Sequence, residues 1–240
     1  MHKAKVFCLP YAGASASIYR KWQSAVHPMI EWVPIELAGR GSRLNEAPYE
    51  IFQDCVDEIY EQVIRHGLNM PYALLGHSMG ACLAFEVTQK LVRQYQRLPM
   101  HLFLSGRRSP QSVRPGKKMH LLPEDEFIGE LRLLGGTPEE LFADRNIMAL
   151  FLPIIRADYQ MLSTYLFQPP TPLINVAFTI LNGRSDDLYS EEISGWQAFS
   201  TQQCEYLFFD GGHFFIEQHY KEIGRYLSSV MLSAGSAEAK

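Results

Sequence analysis

The pentapeptide Gly76-His77-Ser78-Met79-Gly80 constrains the fold more than any other feature of this sequence. It follows the apolar run 72–75 and precedes a segment of helical period at 79–95. A serine at such a strand-to-helix turn stands on a sharply bent backbone, and flanking glycines leave room for the neighbouring strand and helix. The pattern predicts a nucleophile elbow, with Ser78 at the N-terminus of a helix above the edge of a sheet.

Short β-branched or aromatic runs alternate with longer segments of helical period along the rest of the chain. This alternation is typical of a mostly parallel sheet with crossover helices on both faces. Together with the elbow, it predicts an α/β protein with the α/β-hydrolase fold, in a single domain over residues 1–240. The predicted strands are 5–9, 32–37, 72–76, 101–105, 176–181 and 205–209. The predicted covering helices are 51–66, 79–95 and 216–231.

The alternation stops between Pro115 and Pro172, where helical signals crowd together. One helix is expected to begin after Pro123 and to end at Gly135-Gly136, a second to begin at Thr137-Pro138, and a third to cover 146–167. We interpret the segment as a helical lid insertion whose apolar side chains line the substrate pocket and control entry to it. The pocket candidates are Phe127, Leu131, Tyr159 and Leu162.

A serine hydroxyl becomes a nucleophile at neutral pH only when a histidine removes its proton and a carboxylate orients that histidine. In this fold the acid and then the histidine follow the serine, each on a loop after a strand. His213 fits this order because it follows the last predicted strand in a loop with two glycines. Asp186, after the preceding strand, is the first candidate for the acid. Asp187 is a close competitor, whereas Asp210 is better placed to cap the glycine turn.

The oxyanion hole of such an enzyme needs two backbone N–H groups that face the developing negative charge. Met79, directly after the nucleophile, is expected to supply one of them. We assign the second to Ala12, which lies in the glycine- and alanine-rich loop after the first predicted strand.

The formal net charge of -4 argues against nucleic acid or an anionic membrane as a general partner. The apolar stretch 6–9 is too short for a signal sequence or a membrane span, so we expect a cytoplasmic protein. The four cysteines lie far apart without metal-ligand spacing, and we interpret each as a buried apolar residue. We therefore expect no metal and no cofactor. The residues from Ser233 onward are expected to form a frayed tail.

Six stretches make nearly the whole sequence similar to the type II thioesterases, the free-standing editing enzymes of nonribosomal peptide and polyketide synthesis. In chain order they are LPYAG, LAGRGSR, GHSMG, LGGTP, PIIRAD and GGHFF. The chain departs from the usual family pattern at Ala14, Ala38 and Asp187. The resemblance implies serine-dependent hydrolysis of acyl thioesters on the phosphopantetheine arm of an acyl- or peptidyl-carrier protein, which removes stalled or misprimed acyl groups.

Other functions are compatible with the same motifs. A medium-chain fatty acyl thioesterase or a carboxylesterase would share the fold and the triad, and a binding module could keep the fold without the chemistry. A terminal domain that releases a finished product is a further alternative, although we expect no carrier domain before the first strand. Because carrier proteins are commonly acidic around the arm, we expect basic residues to receive them. The candidates are Arg107, Arg108, Lys117 and Lys118.

Overall fold

Six parallel strands form one sheet in the order β2-β1-β3-β4-β5-β6. The computed structural model describes residues 2–94, 97–112, 117–136, 139–170, 172–188 and 190–234. The strands are β1 (Ala4–Leu9), β2 (Ile30–Pro34), β3 (Tyr72–His77), β4 (His101–Ser105), β5 (Ala177–Gly183) and β6 (Glu205–Phe209). All six predicted strands are confirmed, with bounds that shift by at most two residues except in β2. β2 covers Ile30–Pro34 rather than 32–37, and one further bond to β1, from the Ile35 N–H to the Cys8 carbonyl (2.9 Å), follows its last residue.

Helices cover both faces of the sheet. They are α1 (Phe52–Arg65), α2 (Met79–Gln94), α3 (Glu124–Leu134), α4 (Glu139–Ala143), α5 (Arg145–Ser163), α6 (Ser190–Ser194), α7 (Phe215–Gln218) and α8 (Tyr220–Ala234). Alternate side chains of β1 point to opposite faces, so Phe7 packs in a core with α1 and α2, whereas Val6 packs in a core with α8. None of the helices in the described residues is long and apolar enough to cross a membrane.

The predicted helix 216–231 is interrupted at His219, which separates α7 from α8. The imidazole Nε2 of His219 lies 2.9 Å from the carbonyl oxygen of Asp210, in the loop that precedes α7. This side-chain contact at the end of α7 depends on tertiary structure, so the helical period of the sequence could not show the break.

The segment between β4 and β5 contains α3, α4 and α5, as the sequence predicts. It has a small apolar core of its own, formed by Phe127, Leu131, Met148 and Leu152. α5 ends at Ser163 rather than at residue 167, because the Thr164 hydroxyl bonds back to the Met161 carbonyl (2.7 Å) and accepts from the Phe52 N–H of α1 (2.9 Å). The predicted cap at 137–138 and the predicted first residue of the insertion at 115 lie outside the described residues. The frayed tail predicted from Ser233 is wrong for its first two residues, which belong to α8, and the rest, from residue 235, lies outside the described residues.

The four cysteines are buried and free, which confirms their interpretation as packed apolar residues. Cys8 lies on β1 and Cys82 on α2. Burial raises the pKa of both thiols, so both remain protonated at neutral pH.

Candidate active site

Ser78 occupies the sharp turn between β3 and α2. Its φ angle is 53°, and it is the single non-glycine residue with positive φ in the described parts of the chain. The Ser78 N–H donates to the carbonyl of Ser105 at the end of the neighbouring strand β4 (2.8 Å), which holds the turn over the sheet edge. A non-glycine residue in this conformation is strained by about 1–3 kcal/mol, as is typical of a functional turn.

The two glycines of the pentapeptide are required by close backbone contacts. A Cβ at Gly76 would lie 2.0 Å from the carbonyl oxygen of Gly80, and a Cβ at Gly80 would lie 2.1 Å from that of Leu9. The first turn of α2 therefore packs directly on the ends of β3 and β1. These close contacts explain why the elbow pattern has glycine at both positions.

Asp186 and His213 form a hydrogen bond beside this turn. The Nδ1–H of His213 donates to Asp186 Oδ2 over 2.9 Å, and the two side chains are 12% and 7% exposed. Asp187, the competing candidate, is exposed. The third candidate, Asp210, is also exposed and forms an ion pair with Arg184 (3.3 Å).

The loops that carry the acid and the histidine are joined through their backbones. The Ser185 N–H donates to the Gly211 carbonyl (2.9 Å), and the Asp186 N–H donates back to Gly183 (3.2 Å). Gly183 and Gly212 approach so closely that a Cβ on Gly183 would lie 2.3 Å from the Gly212 carbonyl oxygen. The distance between the two side chains is therefore set by main-chain contacts.

His77 links the elbow to the histidine loop. Its ring centre lies 5.0 Å from that of His213, and its Nδ1 lies 2.9 Å from the hydroxyl of Ser105. Complete burial lowers the pKa of His77 well below its usual value, and the charge of His213 would lower it further, so the ring is neutral. The residue pattern of the elbow predicts no role for His77. Its position directly before Ser78 was the available signal.

The two residues assigned to the oxyanion hole lie on adjoining segments. Met79 is the first residue of α2, where backbone N–H groups have no acceptor within the helix. The loop after β1 approaches this helix end, since a Cβ on Gly80 would lie 2.8 Å from the carbonyl oxygen of Pro10. Among the described residues, no acceptor forms a hydrogen bond with the N–H of Ala12. The assignment of Ala12 and Met79 to the oxyanion hole stays a prediction.

A mostly apolar cavity of about 490 Å³ lies between the loop after β1 and the insertion. The loop after β1 lines the cavity with Ala12 and Gly13. Gly136 lines it too and packs against the ring of Phe214, the residue after His213. The insertion contributes Phe142, Ile147, Met148, Leu150, Phe151, Ile154 and Ile155.

None of the four predicted pocket residues lines this cavity. Phe127 and Leu131 belong to the core of the insertion, and Tyr159 packs edge-to-face on Phe127 with ring centres 6.0 Å apart. Leu162 packs against the main core. A helical stripe that faces another helix and one that faces a cavity have the same period, so the sequence could not separate them. Substrate contact by these four residues stays a prediction.

The model of the thioesterase domain family matches residues 4–230. The chain belongs to this family. Among curated relatives, the gramicidin S biosynthesis protein GrsT of Aneurinibacillus migulanus is 35% identical over 223 residues, which are 92% of this chain and 86% of GrsT. The medium-chain S-acyl fatty acid synthase thioesterase of Rattus norvegicus is 28% identical over 215 residues, 88% of this chain and 81% of that protein.

Two solved structures resemble this one closely. ClbQ, from the colibactin nonribosomal peptide and polyketide synthase pathway, has a TM-score of 0.91 at 32% identity, with 96% of this chain and 98% of ClbQ covered. BorB, the type II thioesterase of the borrelidin cluster, has a TM-score of 0.86 at 31% identity, with 95% and 92% covered. The resemblance to type II thioesterases, the α/β-hydrolase fold and the assignment as an enzyme are confirmed.

Proposed function

We propose that this thioesterase hydrolyses acyl groups held on the phosphopantetheine arm of carrier proteins in nonribosomal peptide or polyketide synthesis, and so releases stalled or misprimed units. One observation carries the chemistry: His213, which is hydrogen-bonded to Asp186, packs on the ring of His77, directly before the serine held at positive φ. The similarity to GrsT, ClbQ and BorB supports the substrate class.

In the proposed mechanism, Ser78 Oγ attacks the thioester carbonyl while Nε2 of His213 removes the hydroxyl proton. Asp186 holds the imidazole and stabilises the positive charge that forms on it. The N–H groups of Ala12 and Met79 bind the oxyanion. His213 then donates the proton to the departing pantetheine sulfur. Water attacks the acyl-serine with His213 again as base, and the carboxylic acid leaves as Ser78 regains its proton.

The apolar cavity beside Ala12 is the proposed acyl site. It adjoins the residue assigned to the oxyanion, and its walls are side chains that can accept an alkyl or aromatic acyl group. A tryptophan at Ile154 should therefore reduce kcat/KM for long acyl groups by about tenfold or more and leave acetyl hydrolysis nearly unchanged, because it fills the cavity and not the reacting centre.

The control for this substitution is Leu162→Phe, at a predicted pocket residue that packs against the main core. Hydrolysis of acetyl- to decanoyl-pantetheine by both variants gives the comparison. If Leu162→Phe shortens the accepted chain and Ile154→Trp does not, the acyl group binds elsewhere.

Carrier proteins are proposed to dock through the basic residues Arg107, Arg108, Lys117 and Lys118, two of which lie close to acidic side chains. Lys117 forms an ion pair with Glu130, and Arg108 lies 3.6 Å from Glu192. Lys118 is exposed beside the start of the insertion. Lys118→Glu should raise KM for acyl-carrier substrates severalfold and leave acyl-pantetheine unaffected. An equal change for both substrates would contradict docking at this residue.

A substrate panel tests the proposed function. Acetyl, propionyl, aminoacyl and longer acyl groups are each loaded on a carrier protein and on free pantetheine, and release is measured. The proposal predicts faster turnover on the carrier, with short and aminoacyl groups accepted. Exclusive use of medium-chain acyl groups would favour a thioesterase of fatty acid synthesis. The similarity to the medium-chain thioesterase of Rattus norvegicus is the observation that supports this alternative.

A further inference from the structure

A buried ion pair joins the insertion to the segment after β2. Asp158 on α5 accepts two hydrogen bonds from the guanidinium of Arg40, with Nη1–Oδ2 at 2.5 Å and Nη2–Oδ1 at 2.6 Å. Each side chain is 2% exposed. This bidentate geometry fixes the carboxylate in both position and orientation.

The same carboxylate also holds the loop assigned to the oxyanion hole. Asp158 Oδ2 accepts the backbone N–H of Gly13 over 2.7 Å, and Gly13 directly follows Ala12. One turn earlier on α5, Ile155 packs on Gly13 so tightly that a Cβ there would lie 2.4 Å from Ile155 Cγ1. Gly13 itself has a φ of 80°, so the loop bends sharply at the point where Asp158 binds it.

The energetics of buried charges favour a geometric role over a purely stabilising one. Desolvation of two ions can exceed their mutual attraction, so an apolar pair of similar volume would often be as stable. An apolar pair could not, however, accept the Gly13 N–H, which is one residue from the proposed oxyanion donor. The charged pair therefore supplies something that packing alone does not: a fixed acceptor on the insertion for the backbone of this loop.

We propose that Arg40 and Asp158 are positioning residues that hold the Ala12 N–H toward the reacting carbonyl and so couple the placement of α5 to the oxyanion hole. The inference rests on the proposed function of Ser78 and Ala12. When α5 sits against the loop, Asp158 binds Gly13 and the hole is complete.

Asp158→Asn is the principal variant, because it keeps the shape of the side chain and removes the charge. Misplacement of one donor should reduce kcat for acyl-pantetheine by about 10- to 100-fold and change KM by less than about threefold, since the contact matters mainly in the transition state. Arg40→Lys keeps a cation without the bidentate fork and should act in the same direction, so the test survives if one variant does not fold.

Two inhibitors separate positioning from a general loss of structure. A trifluoromethyl ketone analogue of the acyl-pantetheine adds to Ser78 and places an oxyanion in the hole, whereas the corresponding amide resembles the bound ground state. The inference predicts that Asp158→Asn weakens the ketone by the same factor as kcat/KM and leaves amide affinity unchanged. Leu227→Ala, in the core on the other face of the sheet, is the control for lost stability, and Glu130→Gln is the control for a lost ion pair on the insertion.

The outcomes are decisive. A selective loss of ketone affinity in Asp158→Asn, absent from both controls, supports the inference. Equal weakening of ketone and amide, or a kcat no lower than in Leu227→Ala, overturns it and leaves the proposed function intact. A wild-type protein that neither hydrolyses the thioester nor binds the ketone overturns both.

Discussion

Asp186 and Asp187 are neighbours in one turn, but they face different surroundings. The side chain of Asp186 is 7% exposed and accepts the Nδ1–H of His213, whereas Asp187 lies at the surface. A carboxylate in the less exposed position orients the imidazole and stabilises its charge more strongly, because water screens it less. The sequence alone left both residues open, since adjacent residues after one strand have almost the same spacing to the histidine.

Asp186→Asn should lower kcat by about 10⁴-fold and leave the fold intact, because an amide at this position favours the wrong imidazole tautomer. Asp187→Asn is the matched control and should change kcat by less than about threefold. Steady-state hydrolysis of acyl-pantetheine, with circular dichroism as a check on folding, gives the comparison. A larger loss in Asp187→Asn than in Asp186→Asn would show that the catalytic acid is Asp187 and not Asp186.

The elbow is an element whose sequence requirements are visible in its packing. α2 begins in contact with the ends of β1 and β3, and Gly80 leaves no space for a side chain. The elbow was predictable because its backbone packing leaves no room for a Cβ at two positions, and the sequence has glycine at both. The ends of two helices were not predictable, since the Thr164 hydroxyl after α5 contacts distant α1 and His219 after α7 contacts the loop before that helix.

Gly80→Ala should destabilise the protein by about 3 kcal/mol or more, because its Cβ would lie 2.1 Å from the Leu9 carbonyl oxygen and must push α2 away from β1. Gly129→Ala is the opposite case: Gly129 lies within α3, and nothing lies within 4 Å of the added Cβ. It should stabilise the protein by about 0.5–1 kcal/mol through higher helix propensity. Urea unfolding measures both changes, and equal effects of the two substitutions would contradict this packing of the elbow.

The molecule as a whole contains buried histidines that the folded state keeps neutral. Burial lowers the pKa of His101 to about 4, and its Nε2 lies 2.7 Å from the Thr179 hydroxyl. The pKa of His77 is lowered as well, through burial first and the charge of His213 second. In the unfolded chain, histidine titrates near pH 6.5. Acid therefore adds protons to the unfolded chain that the folded protein does not bind.

The stability that His101 contributes is complete above about pH 6.5 and is lost as the pH falls toward 4, by at most about 1.4 kcal/mol per pH unit. His77 contributes in the same direction. Urea unfolding at several pH values between about 7 and 5 should show this decline. His101→Gln should have a shallower decline than wild type, whatever its stability at neutral pH. Identical pH slopes in the two proteins would show that His101 is not held neutral by the fold.

At the scale of the molecule, the sheet, the elbow and the chain order of Ser78, Asp186 and His213 follow from patterns that physical rules tie to short stretches of sequence. The apolar cavity does not, because Ile154 and Leu131 are both apolar residues on insertion helices and differ only in which neighbour they face. The contact between Asp158 and Gly13 likewise joins residues 145 positions apart. The cavity and this contact both depend on how α5 packs against the rest of the molecule.

The role of Ser78 as the nucleophile is tested by comparing wild type with Ser78→Ala on a propionyl-loaded carrier protein. Release of the free carrier thiol is followed over time, and intact mass spectrometry follows the acyl group on the enzyme. Wild type should release the thiol and carry a transient propionyl group on Ser78, whereas Ser78→Ala should lose about 10⁴-fold or more in kcat and never be acylated. Turnover by Ser78→Ala at a rate near that of wild type would contradict this role of Ser78.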